Sequence, residues 1–319
     1  MRPCSPLLAR ALSLLEAGHK AEGILIVNQL AVQGEPEAMV ALAGLKWRGD
    51  TVPQDLGLAR NLFRRAAEAG HPVGIGAHTN LLASGIAGTR DWPSALDRLR
   101  REGRNDAGRA AILSLIGRMD LTPEGDPGWL VKGTVLSESP RVTFFSGAFS
   151  PAECNHLVRV AEPSLKPSLV EDGSGGHVRD PIRTSDGSPI HWLIEDPAIH
   201  ALNRRLAAFS GTNYDQGEPL QILRYRPGEQ YHPHVDWLGE ENCRVLTALI
   251  YLNQGYQGGE TIFVKTGLKV KGRMGDLLLF RSSGEDGMLD PLSEHAGLPV
   301  TRGTKYLASR WIREGRHIP

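Results

Sequence analysis

Arg224-Tyr225-Arg226-Pro227-Gly228-Glu229-Gln230-Tyr231-His232-Pro233-His234-Val235-Asp236-Trp237 is the stretch on which the reading of this chain turns. On a β-strand, residues two apart point to the same face. His234 and Asp236 therefore reach toward one point and can share one metal ion. His232 projects to that face as well. A further ligand must come from elsewhere in the chain, and His295 is the candidate. It lies between Asp290-Pro291-Leu292-Ser293-Glu294 and Ala296-Gly297-Leu298-Pro299-Val300. A His-x-Asp pair alone is weak, because most strand histidines are structural. Lys305, ten residues beyond His295 and at the head of another expected strand, adds weight.

Outward from this segment the chain reads as short strands: 141–145, 220–225, 246–252, 260–264, 276–280 and 304–311. Helices are expected over 151–161 and 198–209. Many short strands with glycine-rich turns and few helices predict a sandwich or jelly roll. Residues 1 to about 120 are different. Ala, Leu and Arg dominate, and apolar residues recur at three and four, the helical period. An internal repeat is visible. Leu30–Ala38 aligns with Ala66–Gly74 at an offset of 36, Trp47-Arg48-Gly49 with Ala83-Ser84-Gly85, and Ala59 with Ala95. Gly103 closes a third, shorter unit. Helical hairpins that stack need small residues at fixed offsets and glycines where helices stop. This half resembles the Sel-type branch of tetratricopeptide-like repeats, with two to three units over roughly residues 5–118. The resemblance implies a concave face that binds protein or peptide; a helical cap that only shields the second half is the alternative. Residues 121–133, with two Pro and three Gly, read as a linker. The expected organisation is a helical repeat domain over 1–120, a linker over 121–134 and a second domain over 135–319: an α+β multidomain chain.

Two imidazoles and one carboxylate on one face leave open positions on the ion, the facial triad of non-haem Fe(II) oxygenases. A cation one strand away can pair with the far carboxylate of a 2-oxo acid whose near end chelates iron. The second half resembles the prolyl 4-hydroxylase branch of the Fe(II)/2-oxoglutarate-dependent dioxygenases over about residues 135–315. The matching elements are Pro140-Arg141-Val142 with Phe145, Glu153-Cys154 with His156-Leu157, Arg183-Thr184-Ser185 and Gly217–Tyr225. They continue through the His-x-Asp segment, Arg244–Asn253, Gly258-Gly259-Glu260-Thr261, and Gly275-Asp276 with Phe280. The last are His295-Ala296-Gly297, Pro299-Val300, Gly303, Lys305 and Trp311.

The resemblance implies a double-stranded β-helix (jelly-roll) oxygenase domain. It implies His234, Asp236 and His295 as iron ligands, with the ligand directly after Pro233 and hence not His232. Lys305 is implied as the partner of the 2-oxoglutarate C5 carboxylate, helped by Tyr251 or Thr247, with Tyr225 near the C1 end. Arg244, Trp311 and Arg183 are the candidates for the substrate mouth; a solvated arginine and a core tryptophan are the plain alternatives for the first two. Tyr231 falls at a family-typical aromatic position. The glycine-rich run Glu171–Asp180 is the candidate for a mobile loop over a peptide. The implied reaction is prolyl 4-hydroxylation of a peptidyl substrate, with Fe(II), 2-oxoglutarate, O₂ and ascorbate as reductant. A hydroxylase of a free amino acid or another residue type, and a non-catalytic protein-binding adaptor, are the rival readings.

Composition limits the rest. Of 319 residues, 36 are Lys or Arg and 36 are Asp or Glu, so bulk neutralisation of nucleic-acid phosphate is not expected. No apolar run approaches the roughly 18 residues of a membrane span. Leu7–Leu15 carries Arg10 and Ser13 and reads as a helix, not a secretory leader. The 3 cysteines are far apart and odd in number, which suits a reducing, cytoplasmic setting better than a disulfide framework.

Overall fold

The computed structural model describes residues 5–171, 177–179, 182–239, 241–284 and 287–318. The chain divides into two compact units. One comprises residues up to Gly117 together with Trp192–His200; the other comprises Arg118–His191 and Ala201–Ile318.

The helical unit runs α1 (Pro6–Glu16), α2 (Lys20–Val32), α3 (Pro36–Arg48), α4 (Leu56–Glu68), α5 (Pro72–Ser84), α6 (Trp92–Glu102) and α7 (Ala107–Ile116). Each helix packs chiefly on the next in sequence. The repeat of 36 seen in the sequence is a repeat of geometry. Pro36 and Pro72 open α3 and α5. Gly49 and Gly85 close them, both left-handed at φ 75°. Asp55 and Asp91 cap α4 and α6, each accepting from the backbone N–H three residues on. At Gly49 an added Cβ would sit 2.8 Å from Gln54 Cβ, and at Gly85 2.8 Å from Arg90 Cβ. Glycine is thus required twice over, by φ and by space. The alanines Ala38, Ala43, Ala59, Ala66 and Ala95 are buried where helices approach. Leu7–Leu15, expected as a helix, lies within α1, which is capped by the Ser5 hydroxyl.

The second unit holds β1 (Thr134–Glu138), β2 (Arg141–Phe145), α8 (Pro151–Ala161), β3 (Lys166–Pro167), β4 (Leu169–Glu171), β5 (His177–Arg179) and β6 (Asp186–Ile190). Helix α9 (Pro197–Ser210), whose residues up to His200 are counted in the other unit, follows, then β7 (Leu220–Tyr225), β8 (Tyr231–His234), β9 (Arg244–Tyr251), β10 (Gln257–Gly258) and β11 (Thr261–Phe263). The chain ends with β12 (Lys269–Val270), β13 (Leu277–Arg281), β14 (His295–Gly297), β15 (Val300–Arg302) and β16 (Lys305–Arg313). Every pairing among them is antiparallel. The larger sheet has the order β1-β2-β13-β9-β16-β7-β6-β3, the smaller β12-β11-β14-β8. Two further pairs, β10 with β15 and β4 with β5, complete the set. The glycine-rich run expected to cover a substrate lies for the most part between β4 and β5; residues 172–176 and 180 of it lie outside the described residues.

The two sheets share one core. Leu223, Tyr225, Leu249, Leu278, Phe280 and Leu307 come from the larger sheet, Phe263 and Val270 from the smaller. Phe263 meets Phe280 edge-on at 5.2 Å between centroids, a favoured aromatic geometry. β9 and β13 lie mid-sheet and are buried on both faces, which is why their sequences read as continuous apolar runs. α8 begins with a full capping box between Ser150 and Glu153. The guanidinium of Arg310, fully buried, ties β16 to the carbonyls of Glu218, Asn203 and Tyr214 at 3.0, 3.0 and 3.1 Å.

Candidate metal and cosubstrate site

β8 and β14 pair antiparallel, and the register sets His234 directly opposite His295. Their ring centroids are 4.3 Å apart. Asp236, two residues beyond β8's last residue, is only 3% exposed. Its Oδ1 lies 3.7 Å from His234 Nε2 and its Oδ2 3.6 Å from His295 Nε2. The three ligand atoms fall within 4.8 Å of one another, the one such group among the described residues. Separations near 3.6 Å leave room for a single ion at bonds of about 2 Å to each.

The donor chemistry fits a metal. His234 Nδ1 donates to the carbonyl of His232 at 2.8 Å. His295 Nδ1 donates to the carbonyl of Ser293 at 2.9 Å. In both cases the carbonyl two residues upstream fixes the tautomer and leaves the Nε2 lone pair aimed at the shared point. Burial, then the neighbouring His295, pushes the His234 imidazole down to about 4, so the ring is neutral near pH 7. Burial raises the Asp236 carboxyl, but His295, His234 and the Thr247 hydroxyl outweigh it, and the group stays below the usual carboxylate range. Thr247 Oγ1 donates to Asp236 Oδ2 at 2.6 Å. Tyr231 stacks flat on His234, with centroids 3.5 Å apart. Phe280 meets His295 edge-on at 4.7 Å. The ligands are therefore held from behind by packing and by backbone.

β16 supplies the opposite wall. Its alternate residues Lys305, Leu307, Ser309 and Trp311 all face the same cavity, which β7 lines with Leu223 and Tyr225 and β9 with Thr247 and Leu249. Lys305 opens β16 opposite Tyr225. Its ammonium is 3% exposed and donates to the Gly259 carbonyl at 2.8 Å. The rings of Tyr225 and Tyr251 lie 5.4 and 5.9 Å away, within cation–π range. Among the described residues no carboxylate lies within ion-pair distance of it. Burial pushes its pKa down to about 8, against the pull of Glu260.

Seven of the residues read from the sequence thus line one cavity: His234, Asp236, His295, Lys305, Tyr225, Thr247 and Trp311. Tyr251 lies beside the cavity instead; its hydroxyl is buried near Thr261, and burial pushes its pKa up to about 12. Arg244 stacks over Trp311 at 4.1 Å and holds both oxygens of Glu218, at 2.6 and 2.8 Å. Arg313 shares that carboxylate at 2.8 Å. Burial raises Glu218, but the two guanidinium groups outweigh it and hold the carboxyl below its ordinary value. Arg183 donates to Ser168 Oγ at 3.1 Å and lies 5.7 Å over the Tyr231 ring. Two residues of note had no role assigned from the sequence. Thr261 lies on the expected strand 260–264 and alternates with Phe263 as the inward face of β11; the packing of that strand, not its local sequence, puts it at the cavity. Glu218 is the anchor of Arg244, a pairing that joins residues 26 apart.

Residues 220–313 match the 2OG-Fe(II) oxygenase superfamily. Prolyl 4-hydroxylase 1 of Arabidopsis thaliana is 37% identical over 205 residues, which cover 58% of this chain and 72% of that protein. Probable prolyl 4-hydroxylase 3 of the same plant is 35% identical over 209 residues, 57% and 72% respectively. Among solved structures, the 2OG complex of the viral collagen prolyl hydroxylase from Paramecium Bursaria Chlorella virus-1 is similar at 26% identity and TM-score 0.45, covering 54% of this chain and 95% of that one. A Sel1 repeat protein from Oxalobacter formigenes is similar at 21% identity and TM-score 0.31, covering 34% and 85%. The sequence likeness to the plant enzymes extends over 72% of their own length, and on that ground the chain belongs to the prolyl 4-hydroxylase family of 2OG-Fe(II) oxygenases.

Proposed function

We propose that this chain hydroxylates a peptidyl proline at C4, coupled to decarboxylation of 2-oxoglutarate to succinate and CO₂. One observation carries the reading: a single cavity is lined both by a three-ligand metal cluster and by a buried ammonium that, among the described residues, has no carboxylate within ion-pair distance. In this reading His234, Asp236 and His295 hold Fe(II). Bound iron supplies the centre at which the 2-oxo acid and O₂ react, and ascorbate is the reductant that restores it.

The protein's own part is positioning. Lys305 receives the C5 carboxylate, with Thr247, Thr261 and Tyr251 as neighbouring hydroxyls and Tyr225 toward the C1 end. That carboxylate supplies the charge the buried ammonium lacks, so binding relieves a desolvation cost. Thr247 keeps Asp236 oriented through its hydrogen bond. Leu223, Leu249, Leu307 and Trp311 wall the cavity with apolar surface and exclude water from the reacting centre. Trp311, fixed by Arg244 and through it by Glu218, forms the mouth toward the substrate, with Arg183 and Tyr231 on the side of β8.

The helical unit supports a peptide over a free amino acid. A groove of about 590 Å³ lies between its helices, lined by Leu12, Leu15, Val40, Leu45 and Phe63. A free amino acid needs no such surface. In this reading the groove docks a peptide segment. The buried thiols Cys154 and Cys243, neither in a disulfide, support a cytoplasmic setting.

The test is succinate formation from 2-oxoglutarate in air with Fe(II), with and without proline-rich peptides, followed by mass analysis of the peptides. Peptide-stimulated turnover with one oxygen gained on proline is the expected result. Succinate without peptide oxidation retains the oxygenase and overturns the peptidyl-proline assignment. Partner binding with iron bound and no turnover moves the reading to an adaptor.

A further inference from the structure

Behind Lys305 lies a second layer of charge that the proposed reaction does not use. The Gly259 carbonyl that accepts from Lys305 belongs to the residue directly before Glu260. Gly259 is left-handed at φ 70°, and an added Cβ there would sit 3.1 Å from Lys305 Cδ and 3.3 Å from the Tyr256 ring. The backbone of 256–260 therefore wraps the lysine stem at contact distance. Glu260 Oε1 lies 3.6 Å from Lys271 Nζ. Lys271 also donates to the Tyr256 carbonyl at 3.4 Å and sits 5.0 Å over the Tyr256 ring. One acidic side chain thus stands on the loop that holds the buried ammonium, and one basic side chain, directly after β12, is fastened to that loop.

We infer that Glu260 and Lys271 act as a positioning pair that sets how firmly Lys305 holds the distal carboxylate of the 2-oxo acid. The inference rests on Lys305 being that carboxylate's partner. The groups around Lys305 are the rings of Tyr225 from β7, Tyr251 from β9 and Tyr256 from the loop, with the charges of Glu260 on that loop and of Lys271 after β12 acting on it. The phenols are neutral near pH 7, because burial raises all three. Of these two charges, Glu260 favours the ammonium and Lys271 opposes it. The pair also constrains itself, since Lys271 holds the Glu260 carboxylate at 3.6 Å. Removing either member should therefore move the ammonium's titration, in opposite directions.

The experiment is calorimetric binding of 2-oxoglutarate to the Fe(II)-loaded full chain without O₂, from pH 6.5 to 9.5. In the parent protein the Kd is flat at low pH and rises tenfold per pH unit once Lys305 has lost its proton. Lys271→Met should move that break to higher pH, so that at pH 9 binding is about threefold tighter relative to its own low-pH plateau. Glu260→Gln should move it to lower pH, with binding at pH 8 about threefold weaker relative to its plateau. Lys271→Arg should restore the parent break. Both side chains are partly exposed, 38% and 29%, so the substitutions are tolerated by the fold. Unchanged breaks in Lys271→Met and Glu260→Gln, or shifts in the same direction, overturn the inference while a loss of binding in Lys305→Met keeps the cosubstrate site. Parent-like binding in Lys305→Met overturns the cosubstrate site itself and the inference with it.

Discussion

Each imidazole of the candidate metal cluster has its outer nitrogen tied to a carbonyl two residues upstream, so the ring cannot rotate away without losing that hydrogen bond. The ligand geometry is therefore built before any ion arrives. His234→Ala should abolish succinate formation and lower bound iron below one per chain, read by metal analysis after dialysis; chelation of the parent should do the same, reversibly on adding Fe(II). Thr247→Val keeps shape but removes the donor to Asp236. It should weaken metal affinity by about 10- to 100-fold, as second-layer changes typically do. Glu218 works at a distance from the chemistry. Its carboxylate neutralises Arg244 and Arg313, and Arg244 in turn backs Trp311. Glu218→Gln should cost about 3 kcal/mol, because two guanidinium groups lose a buried partner. The sign of its pH dependence follows from the depressed carboxyl: its contribution is present above the ordinary carboxylate range and lost as pH falls through the lowered value. Acid unfolding of Glu218→Gln should be correspondingly shallower, read by circular dichroism.

At the scale of elements, the repeated helix hairpins depend on their stops. Gly49→Ala and Gly85→Ala each place a Cβ at positive φ and 2.8 Å from the next turn's side chain. Each should cost at least about 1 kcal/mol in thermal or urea unfolding, and the double variant should add, since the sites lie in different hairpins. Within α5, His78 is 7% exposed with its Nδ1 unpartnered. Burial, then Arg98, Arg60 and Arg64, pushes it down to about 4. The fold therefore favours the neutral ring. Stability is fully present above the unfolded value of about 6.5 and declines as pH falls from there toward 4. His78→Leu should flatten that limb, and an unchanged slope would show that the ring does not set it. The strands were legible in part: the span expected at 260–264 contains the short β11, while β1 and β6, five residues each, were not read as strands. The spans expected at 141–145 and 220–225 match β2 and β7, and those at 246–252, 276–280 and 304–311 match β9, β13 and β16 to within two residues. β14 and β10, three and two residues long, carry too little periodicity to be seen in sequence.

For the whole molecule, the helical unit is not simply the first third of the chain. Trp192–His200 belongs to it, and Asn80 Nδ2 donates to the Leu193 carbonyl at 2.9 Å. Trp92 lies 6.3 Å from the His200 ring. A fragment starting at residue 118 strips those partners from the buried segment 196–200. It should refold in lower yield and melt at lower temperature than the full chain, read by calorimetry at matched concentration. Nothing in the local sequence of 192–200 marks that allegiance, because it rests on contacts more than a hundred residues apart.

The sequence by itself determined the two-part organisation, the 36-residue helical period, the His-x-Asp pair and its family likeness. These are local or periodic properties, and periodicity of apolar and small residues is written directly along the chain. Tertiary structure decided what depends on register and approach. It set His295 opposite His234 and turned Lys305, Leu307, Ser309 and Trp311 to one wall. It tied Arg244 to Glu218, and it brought Lys271 from beyond β12 to Glu260 on the loop behind the buried ammonium. Strand register and burial are set by the packing of the whole sheet, so no single stretch of residues contains them.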